Sequence, residues 1–197
     1  DKAAKNENII GVYLEGGAMG ANPGMAQELR QALVEFKESG KWVVAYGDSY
    51  GKTAYYLSSV ADSVLLNPEG NVDFGGMASQ IMFYKDVMEK IGVKMQVFKV
   101  GTYKSAVEPF ICTEMSPANR EQVTSYLFSI WTNMLKDVAA SRNMEVGKLN
   151  SLADSLTMIS EASVALNGGL VDKLCYMDEV KAILREKSGI EDEDDDL

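Results

Sequence analysis

The chain has 197 residues, 46% of them hydrophobic, and this length allows one α/β domain with a substantial core. Its formal net charge of −10 and its lack of a basic cluster argue against nucleic-acid binding. Six of the acidic residues lie together at 191–196, and they predict a solvated, disordered tail over residues 188–197. No run approaches the ~18–20 consecutive apolar residues of a membrane span, and no signal peptide opens the chain.

Histidine is absent and cysteine is rare in this sequence. Without histidine, any hydrolytic mechanism needs another base, and lysine is the usual substitute in Ser-Lys enzymes. Cys112 and Cys175 form no CxxC motif, so a disulfide and two free thiols are both compatible with their spacing. The cysteines therefore do not identify a redox compartment.

Strand-like and helix-like segments alternate along the chain. Buried-strand patterns occur at residues 9–14, 42–46, 63–66 and 94–100. Helical patterns occur at residues 23–39, 53–60, 81–91, 116–141, 160–167 and 177–187. This alternation predicts parallel βαβ units within one domain over residues 9–187. It does not by itself distinguish a doubly wound sheet from other α/β folds.

Residues with special backbone preferences mark the ends of several helices. Asn22, followed by Pro23, is expected to cap the helix that Gly40 ends. Gly168 and Gly169 are expected to close the helix at 160–167 in the same way.

The segment Gly47-Asp-Ser-Tyr-Gly-Lys-Thr53 lies between a predicted strand and a predicted helix, as a phosphate-binding P-loop does. The P-loop motif requires four residues between its first glycine and its Gly-Lys pair, whereas three separate Gly47 from Gly51. Because consecutive N–H groups must wrap the phosphates, a missing residue changes the cradle. We therefore predict that this loop binds no nucleotide.

Lys104 follows the fourth predicted strand and lies among Tyr103, Ala106, Val107 and Phe110. Apolar neighbours can hold a lysine partly dry, and a dry lysine can act as a base near neutral pH. Moving its pKa from ~10.4 to ~7 costs roughly 4.6 kcal/mol against the ammonium form. Burial can supply this free energy and an exposed loop cannot. The alternative, taken from composition, is an ordinary loop lysine.

The sequence Gly101-Thr-Tyr-Lys-Ser-Ala-Val-Glu-Pro-Phe110 resembles the lysine motif of the signal peptide peptidase A family, also called protease IV. The likeness extends over about residues 9–187 and includes the segments at 41–48, 55–62, 67–70 and 115–117. It implies a crotonase/Clp-protease-like superhelix of ββα units. It also implies a bacterial Ser-Lys endopeptidase that degrades cleaved signal peptides and other short hydrophobic peptides.

The resemblance assigns Lys104 the role of general base, which takes the proton from a serine hydroxyl. Lys52 stands where catalytically complete halves of the family carry that serine, three residues before Tyr55 and Tyr56. The chain is therefore expected to be the amino-terminal, lysine-bearing half, inactive alone, with the serine supplied by a second half. Weaker nucleophile candidates within the chain are Ser49, Ser79 and Ser105.

Two other features have a place in this family. The glycine loop at 16–20 lies where related folds hold an oxyanion, and we interpret it here as vestigial or structural. Glu108, followed by Pro109, is expected to be a structural acid that fixes the turn after the base.

The resemblance also implies partners and a location. We expect a second homologous half, a homo-oligomer such as a tetramer, and no metal, nucleotide or organic cofactor. Residues 1–8 are interpreted as a cut end, and an anchor outside the chain would hold the protein at the outer, periplasmic face of the bacterial inner membrane. The alternatives are a non-catalytic assembly module with a structural Lys104 and an acyl-coenzyme A-binding crotonase relative.

Overall fold

A computed structural model describes residues 2–17, 19–98, 100–155 and 157–189. The described chain forms two compact units. The first, which we call the sheet unit, comprises the residues up to Gly76 and from Met134 onward, and the second, the lysine unit, is Met77–Asn133. The predicted acidic tail lies outside the described residues apart from 188 and 189, so the boundary at 188 stays a prediction.

Most predicted elements are present, with ends that differ by a few residues. The strands are β1 (Gly11–Glu15), β2 (Trp42–Gly47), β3 (Ser63–Leu66) and β4 (Lys173–Leu174). The helices are α1 (Lys2–Lys5), α2 (Pro23–Glu38), α3 (Lys52–Ser58), α4 (Lys85–Lys90), α5 (Glu108–Ile111), α6 (Pro117–Arg142), α7 (Val146–Asp154), α8 (Ala162–Gly168) and α9 (Met177–Ser188). Short 3-10 turns occur at Ser105–Val107 and Thr157–Ile159.

The sheet unit is built on a parallel sheet in the order β1-β2-β3-β4. Gly11 pairs with Trp42, Val44 with Ser63, and Leu65 with Lys173. The central strands β2 and β3 are almost entirely buried, as their continuous apolar sequences predict for parallel strands covered on both faces. The sheet therefore forms the centre of this unit's core.

Helix α9 covers one face of this sheet. Its Val180 and Leu184 belong to a buried cluster with Val44, Tyr46 and Leu65. The strands that carry these residues, β2 and β3, are more than 100 residues from α9 in sequence. The burial of apolar side chains between α9 and the sheet stabilises this long-range contact.

Two predicted helix ends, the start of α2 and the end of α8, are confirmed by their capping residues. The Asn22 side chain accepts a hydrogen bond of 2.9 Å from the Met25 N–H, and Pro23 is the first helical residue. Helix α8 ends at Gly168, and the next residue, Gly169, has a φ of +84°, in the left-handed region that glycine tolerates without strain.

The strand predicted at residues 94–100 is wrong within the described residues. Positions 93–98 adopt no regular structure, and the side chain of Phe98 is 89% exposed. An alternating apolar pattern becomes a strand only when a neighbouring strand accepts its backbone hydrogen bonds. The preceding helix is also shorter than the pattern at 81–91 predicts, because α4 begins only at Lys85.

Candidate active site

Lys104 lies in the lysine unit, at the residue that precedes the 3-10 turn Ser105–Val107. Its backbone is neither helical nor extended, with φ −88° and ψ 70°, and its side chain is exposed. The neighbouring Tyr103 and Phe110 are also exposed. The expectation that apolar neighbours would cover Lys104 is therefore not met within the described chain, because Tyr103 and Phe110 are themselves exposed to solvent.

Two exposed contacts connect the residues beside Lys104 to the first turns of α6. The Tyr103 hydroxyl donates to Glu121 Oε2 at 3.3 Å, and the Ser105 hydroxyl donates to Gln122 Oε1 at 3.4 Å. Both distances are long for hydrogen bonds between oxygen atoms. These contacts guide the loop toward α6 but hold it weakly. They also engage the hydroxyl of Ser105, one of the weaker nucleophile candidates.

A buried carboxylate supplies a stronger attachment. Glu108 is 1% exposed, and its side chain accepts hydrogen bonds from the Ser116 hydroxyl at 2.6 Å and from the Asn119 amide at 2.9 Å. The Ser116 N–H also donates to it at 3.2 Å. The prediction that Glu108 is a structural acid agrees with this geometry, since a carboxylate buried among donors is fixed in place.

The residues after Glu108 contact the start of α4. The Pro109 carbonyl accepts a hydrogen bond of 2.6 Å from the Tyr84 N–H, and the rings of Tyr84 and Phe110 stack with centroids 6.1 Å apart. The segment that follows Lys104 is thus held at two points of the lysine unit, once on α6 and once beside α4.

Lys52 lies in the sheet unit as the first residue of α3, and its ammonium donates a hydrogen bond of 2.7 Å to the Gly76 carbonyl. Lys52 carries no hydroxyl group that could be acylated, and its ammonium is bound to a backbone carbonyl at the helix start. Ser49 is exposed, and its hydroxyl donates to the carbonyl of Asp48 at 2.8 Å. Ser79 is exposed in the lysine unit.

Two backbone amides of the loop between β2 and α3 donate to carbonyl groups of the protein. The Tyr50 N–H donates to the Asn71 carbonyl at 2.9 Å, and the Gly51 N–H donates to the Gly17 carbonyl at 3.3 Å. The Tyr50 side chain is buried, and its hydroxyl donates to the Leu65 carbonyl. These two amides face carbonyl groups of the protein and are not directed at a phosphate, and the absence of nucleotide binding stays a prediction.

The first residue of the glycine loop at 16–20, Gly16, lies in close contact with Tyr50 and Gly47 in the sheet unit. A Cβ atom on Gly16 would lie 2.6 Å from the Tyr50 ring and 2.9 Å from the Gly47 backbone, so only glycine fits there. The Gly16 N–H donates to the Tyr46 carbonyl at 2.6 Å. Gly16 therefore has a packing role, whereas a Cβ atom on Gly17 or Gly20 would meet nothing within 4 Å.

Cys112 is partly exposed, Cys175 is buried, and both are free thiols. The described ranges contain no group of three or more histidine, cysteine, aspartate or glutamate side chains that could hold a metal ion. Nor does any helix in the described part of the chain combine the length and apolarity needed to cross a membrane.

Sequence reasoning did not identify the polar groups that hold the loop of Lys104. Glu121 and Gln122 contact residues 103 and 105, and Ser116 and Asn119 contact Glu108. The available signal was the pair Ser116 and Pro117, a pattern typical of a helix start. It lies a few residues after Glu108 and could have indicated donors for that carboxylate.

Comparison with known proteins gives this geometry a context. The sequence model of peptidase family S49 matches residues 35–191, a region that contains both Lys52 and Lys104. Protease 4 of Salmonella typhi is 38% identical over 195 residues, which cover 95% of this chain and 32% of that protein. The chloroplastic serine protease SPPA of Arabidopsis thaliana is 30% identical over 190 residues, which cover 96% of this chain and 28% of that protein.

A third relative, Protease 4 of Haemophilus influenzae, is 38% identical over 118 residues, which cover 60% of this chain and 19% of that protein. The chain thus spans a third or less of the length of each of these three relatives. The family match covers well over half of the chain and confirms both the resemblance and the predicted fold class. The chain belongs to peptidase family S49, whose members have the crotonase/Clp-protease-like fold.

Proposed function

We propose that this chain is the lysine-bearing half of a Ser-Lys endopeptidase in which Lys104 is the general base. The observation that carries the proposal is the motif around Lys104, which falls inside the region matched by a peptidase family in a chain without histidine. Lys104 would take the proton from a serine hydroxyl as that oxygen attacks the scissile carbonyl. The lysine would then return a proton to the leaving amine.

The serine comes, in this proposal, from a second half outside the chain. Lys52 occupies the position where the resemblance expects the nucleophile, and its ammonium is bound to the Gly76 carbonyl. The relatives named above are about three times the length of the matched region or more, which leaves room for a second half.

The exposed position of Lys104 places a requirement on that second half. A general base must be present as a free amine, and removal of water is what favours the free amine. Since the Lys104 side chain is exposed in the described chain, polypeptide outside the chain must cover it. The second half would then supply both the nucleophile and the dry surroundings.

The substrates we propose are cleaved signal peptides and other short, extended, hydrophobic peptides. Further parts of the proposal are a homo-oligomer, expected to be a tetramer, and attachment to the outer face of the bacterial inner membrane by an anchor outside the chain. The names of the relatives, Protease 4 and serine protease SPPA, support a peptidase.

The test is kcat/KM of Lys104 variants in the full-length oligomer, with assembly checked by light scattering. Lys104→Met keeps the apolar stem and removes the amine. Lys104→Arg introduces a guanidinium group that does not lose its proton and therefore cannot act as a base. Both variants should lose at least about a hundredfold in kcat/KM. Lys94→Met, at an exposed position of the same unit, is the matched control and should retain activity.

Near-wild-type activity of Lys104→Met would end the assignment of Lys104 as the base. In that case the alternative, a non-catalytic assembly module with a structural lysine, would account better for the exposed side chain. Binding of coenzyme A by the purified protein would instead favour an acyl-coenzyme A-binding relative of the crotonases.

A further inference from the structure

Glu108 is the acidic residue with a buried side chain among the described residues, at 1% exposure. It lies four positions after Lys104, and the 3-10 turn Ser105–Val107 leads directly into α5, which begins at Glu108. Lys104 and Glu108 are therefore joined by continuous helical backbone. A group that fixes Glu108 also restricts where the backbone of Lys104 can lie.

The hydrogen-bond donors around Glu108 favour the ionised form of its carboxyl group. The Ser116 hydroxyl accepts a hydrogen bond of 3.2 Å from the Asn119 N–H, so its own proton is directed to Glu108 at 2.6 Å. The Asn119 side-chain amide and the Ser116 N–H are also donors to the same carboxylate. A group surrounded by donors acts as an acceptor, which is the property of the ionised form.

The long helix α6 adds to this stabilisation. Helix α6 begins at Pro117, directly after Ser116, and runs to Arg142. The amino-terminal end of a helix carries a partial positive charge, which favours an anion held there. Glu108 therefore joins the turn after Lys104 to the start of α6 by charge-assisted hydrogen bonds, the stronger kind.

We propose that Glu108 is a positioning residue, which sets the location of the Lys104 amine by fixing the turn that follows it. This inference rests on the proposed function of Lys104 as the general base. The other contacts of the loop with α6 are exposed and long, at 3.3 Å from Tyr103 and 3.4 Å from Ser105. They cannot replace a buried, charge-assisted attachment, because water competes with them.

The effect on catalysis follows from geometry. A base must lie within hydrogen-bond reach of the hydroxyl proton that it removes, and a displacement of about 1 Å can cost about a hundredfold in rate. A looser turn would retain the amine of Lys104 but allow it to occupy several positions. Turnover would then fall while substrate binding stayed the same.

The experiment uses the full-length oligomer with Glu108→Gln and the matched control Glu114→Gln, an exposed acid in the same unit. Glutamine keeps the shape of Glu108 but replaces one carboxylate oxygen, an acceptor, with an NH₂ group. That NH₂ group is itself a donor and would face the donors of Ser116 and Asn119. The measurements are kcat and KM on a hydrophobic peptide, the pH dependence of kcat/KM, the unfolding midpoint, and the rate at which an amine-reactive reagent labels Lys104.

We expect Glu108→Gln to lower kcat by at least about tenfold with KM within about twofold, to displace the pH profile, and to change the labelling rate of Lys104. Glu114→Gln should match the wild type in every measurement. Unchanged kcat, pH profile and labelling in Glu108→Gln would overturn the proposal. A loss of activity that only follows a lower unfolding midpoint, with an unchanged pH profile, would also overturn it.

Should Glu108→Gln fail to fold, Ser116→Ala decides the matter by the same measurements. That variant removes the 2.6 Å donor and keeps the acid, and a wild-type kcat and pH profile there would refute the positioning role. Lys104→Met separates the two proposals. If it is inactive while Glu108→Gln behaves as wild type, only the positioning role fails. If Lys104→Met is active, the base assignment fails and the positioning role fails with it.

Discussion

The ammonium of Lys52 and the carbonyl of Gly76 form a hydrogen bond of 2.7 Å across 24 residues of sequence. This bond fixes the lysine at the start of α3 as a donor to the backbone. The same position is where the family resemblance expects a nucleophilic serine. The prediction that this chain lacks the nucleophile depends on that position.

The first prediction is that the isolated chain has no peptidase activity. Lys52 cannot form an acyl-enzyme, and the candidate Ser105 has its hydroxyl directed to Gln122. Purified chain should neither cleave a hydrophobic peptide ester nor react with a fluorophosphonate, whereas the full-length protein should do both. Cleavage by the isolated chain that disappears when one of its own serines is mutated would contradict this.

The second prediction is that the loop between β2 and α3 binds no nucleotide. The amides of Tyr50 and Gly51 donate to the carbonyls of Asn71 and Gly17 and are not free to surround a phosphate. Titration calorimetry with ATP and magnesium should give no heat of binding. A dissociation constant in the micromolar range, lost in Lys52→Met, would show that the loop rearranges to take a ligand.

The third prediction concerns Arg30 of α2, which is 5% exposed. Its guanidinium donates to the Tyr56 carbonyl, to the Ser59 hydroxyl at 2.8 Å and to the Asp137 carbonyl at 2.8 Å, and it lies 4.7 Å from the centre of the Tyr56 ring. Arg30→Met should lower the free energy of unfolding by about 2–3 kcal/mol, because buried acceptors lose their donors. Denaturant unfolding measures this change.

The matched control for Arg30 is Arg120→Met, at an exposed position of α6. It should change the free energy of unfolding by less than about 0.5 kcal/mol. Equal effects of the two substitutions would show that the hydrogen bonds of Arg30 contribute no more than the loss of a surface charge.

The fourth prediction is a pH dependence that arises from Asp172 and Arg142. Two parallel hydrogen bonds of 2.6 and 3.0 Å join their side chains, and the Val64 N–H donates to the same carboxylate at 2.7 Å. Burial raises the pKa of Asp172, but the hydrogen bonds from Arg142 and Val64, with the charge of Arg142, together lower it below its ordinary value of 3.8.

A carboxyl whose pKa is lower in the folded state stabilises the protein above its unfolded pKa, and this stabilisation is lost as the pH falls through the folded pKa. The wild type should therefore be more stable than Asp172→Asn near pH 7, and the difference should shrink below about pH 4. The effect is modest, since the Asp172 side chain is 42% exposed. Chemical unfolding at several pH values measures the difference.

The control for Asp172 is Asp154→Asn, an exposed acid at the end of α7. Its stability relative to the wild type should vary much less over the same pH range. A difference between wild type and Asp172→Asn that stays constant from about pH 7 to about pH 3 would contradict the assignment of the ion pair as the source.

Local sequence determined much of the fold. Continuous apolar runs predicted β2 and β3, and the Asn22 cap and the glycine after α8 located two helix ends, because these signals act within a few residues. The motif around Lys104 likewise identified the family from ten consecutive residues, and the family match over residues 35–191 confirmed it.

Tertiary structure decided what depends on distant partners. The run at 94–100 has the sequence pattern of a strand, yet its described residues form no strand. A strand needs a neighbouring strand to pair with, and no local pattern supplies one. The contact of Arg30 with Asp137 joins residues 107 positions apart. The sequence motif led to the prediction that Lys104 is the catalytic base. Only the folded chain showed that its side chain is exposed and that the turn after it is held by buried Glu108, because burial and hydrogen bonding depend on residues outside the motif.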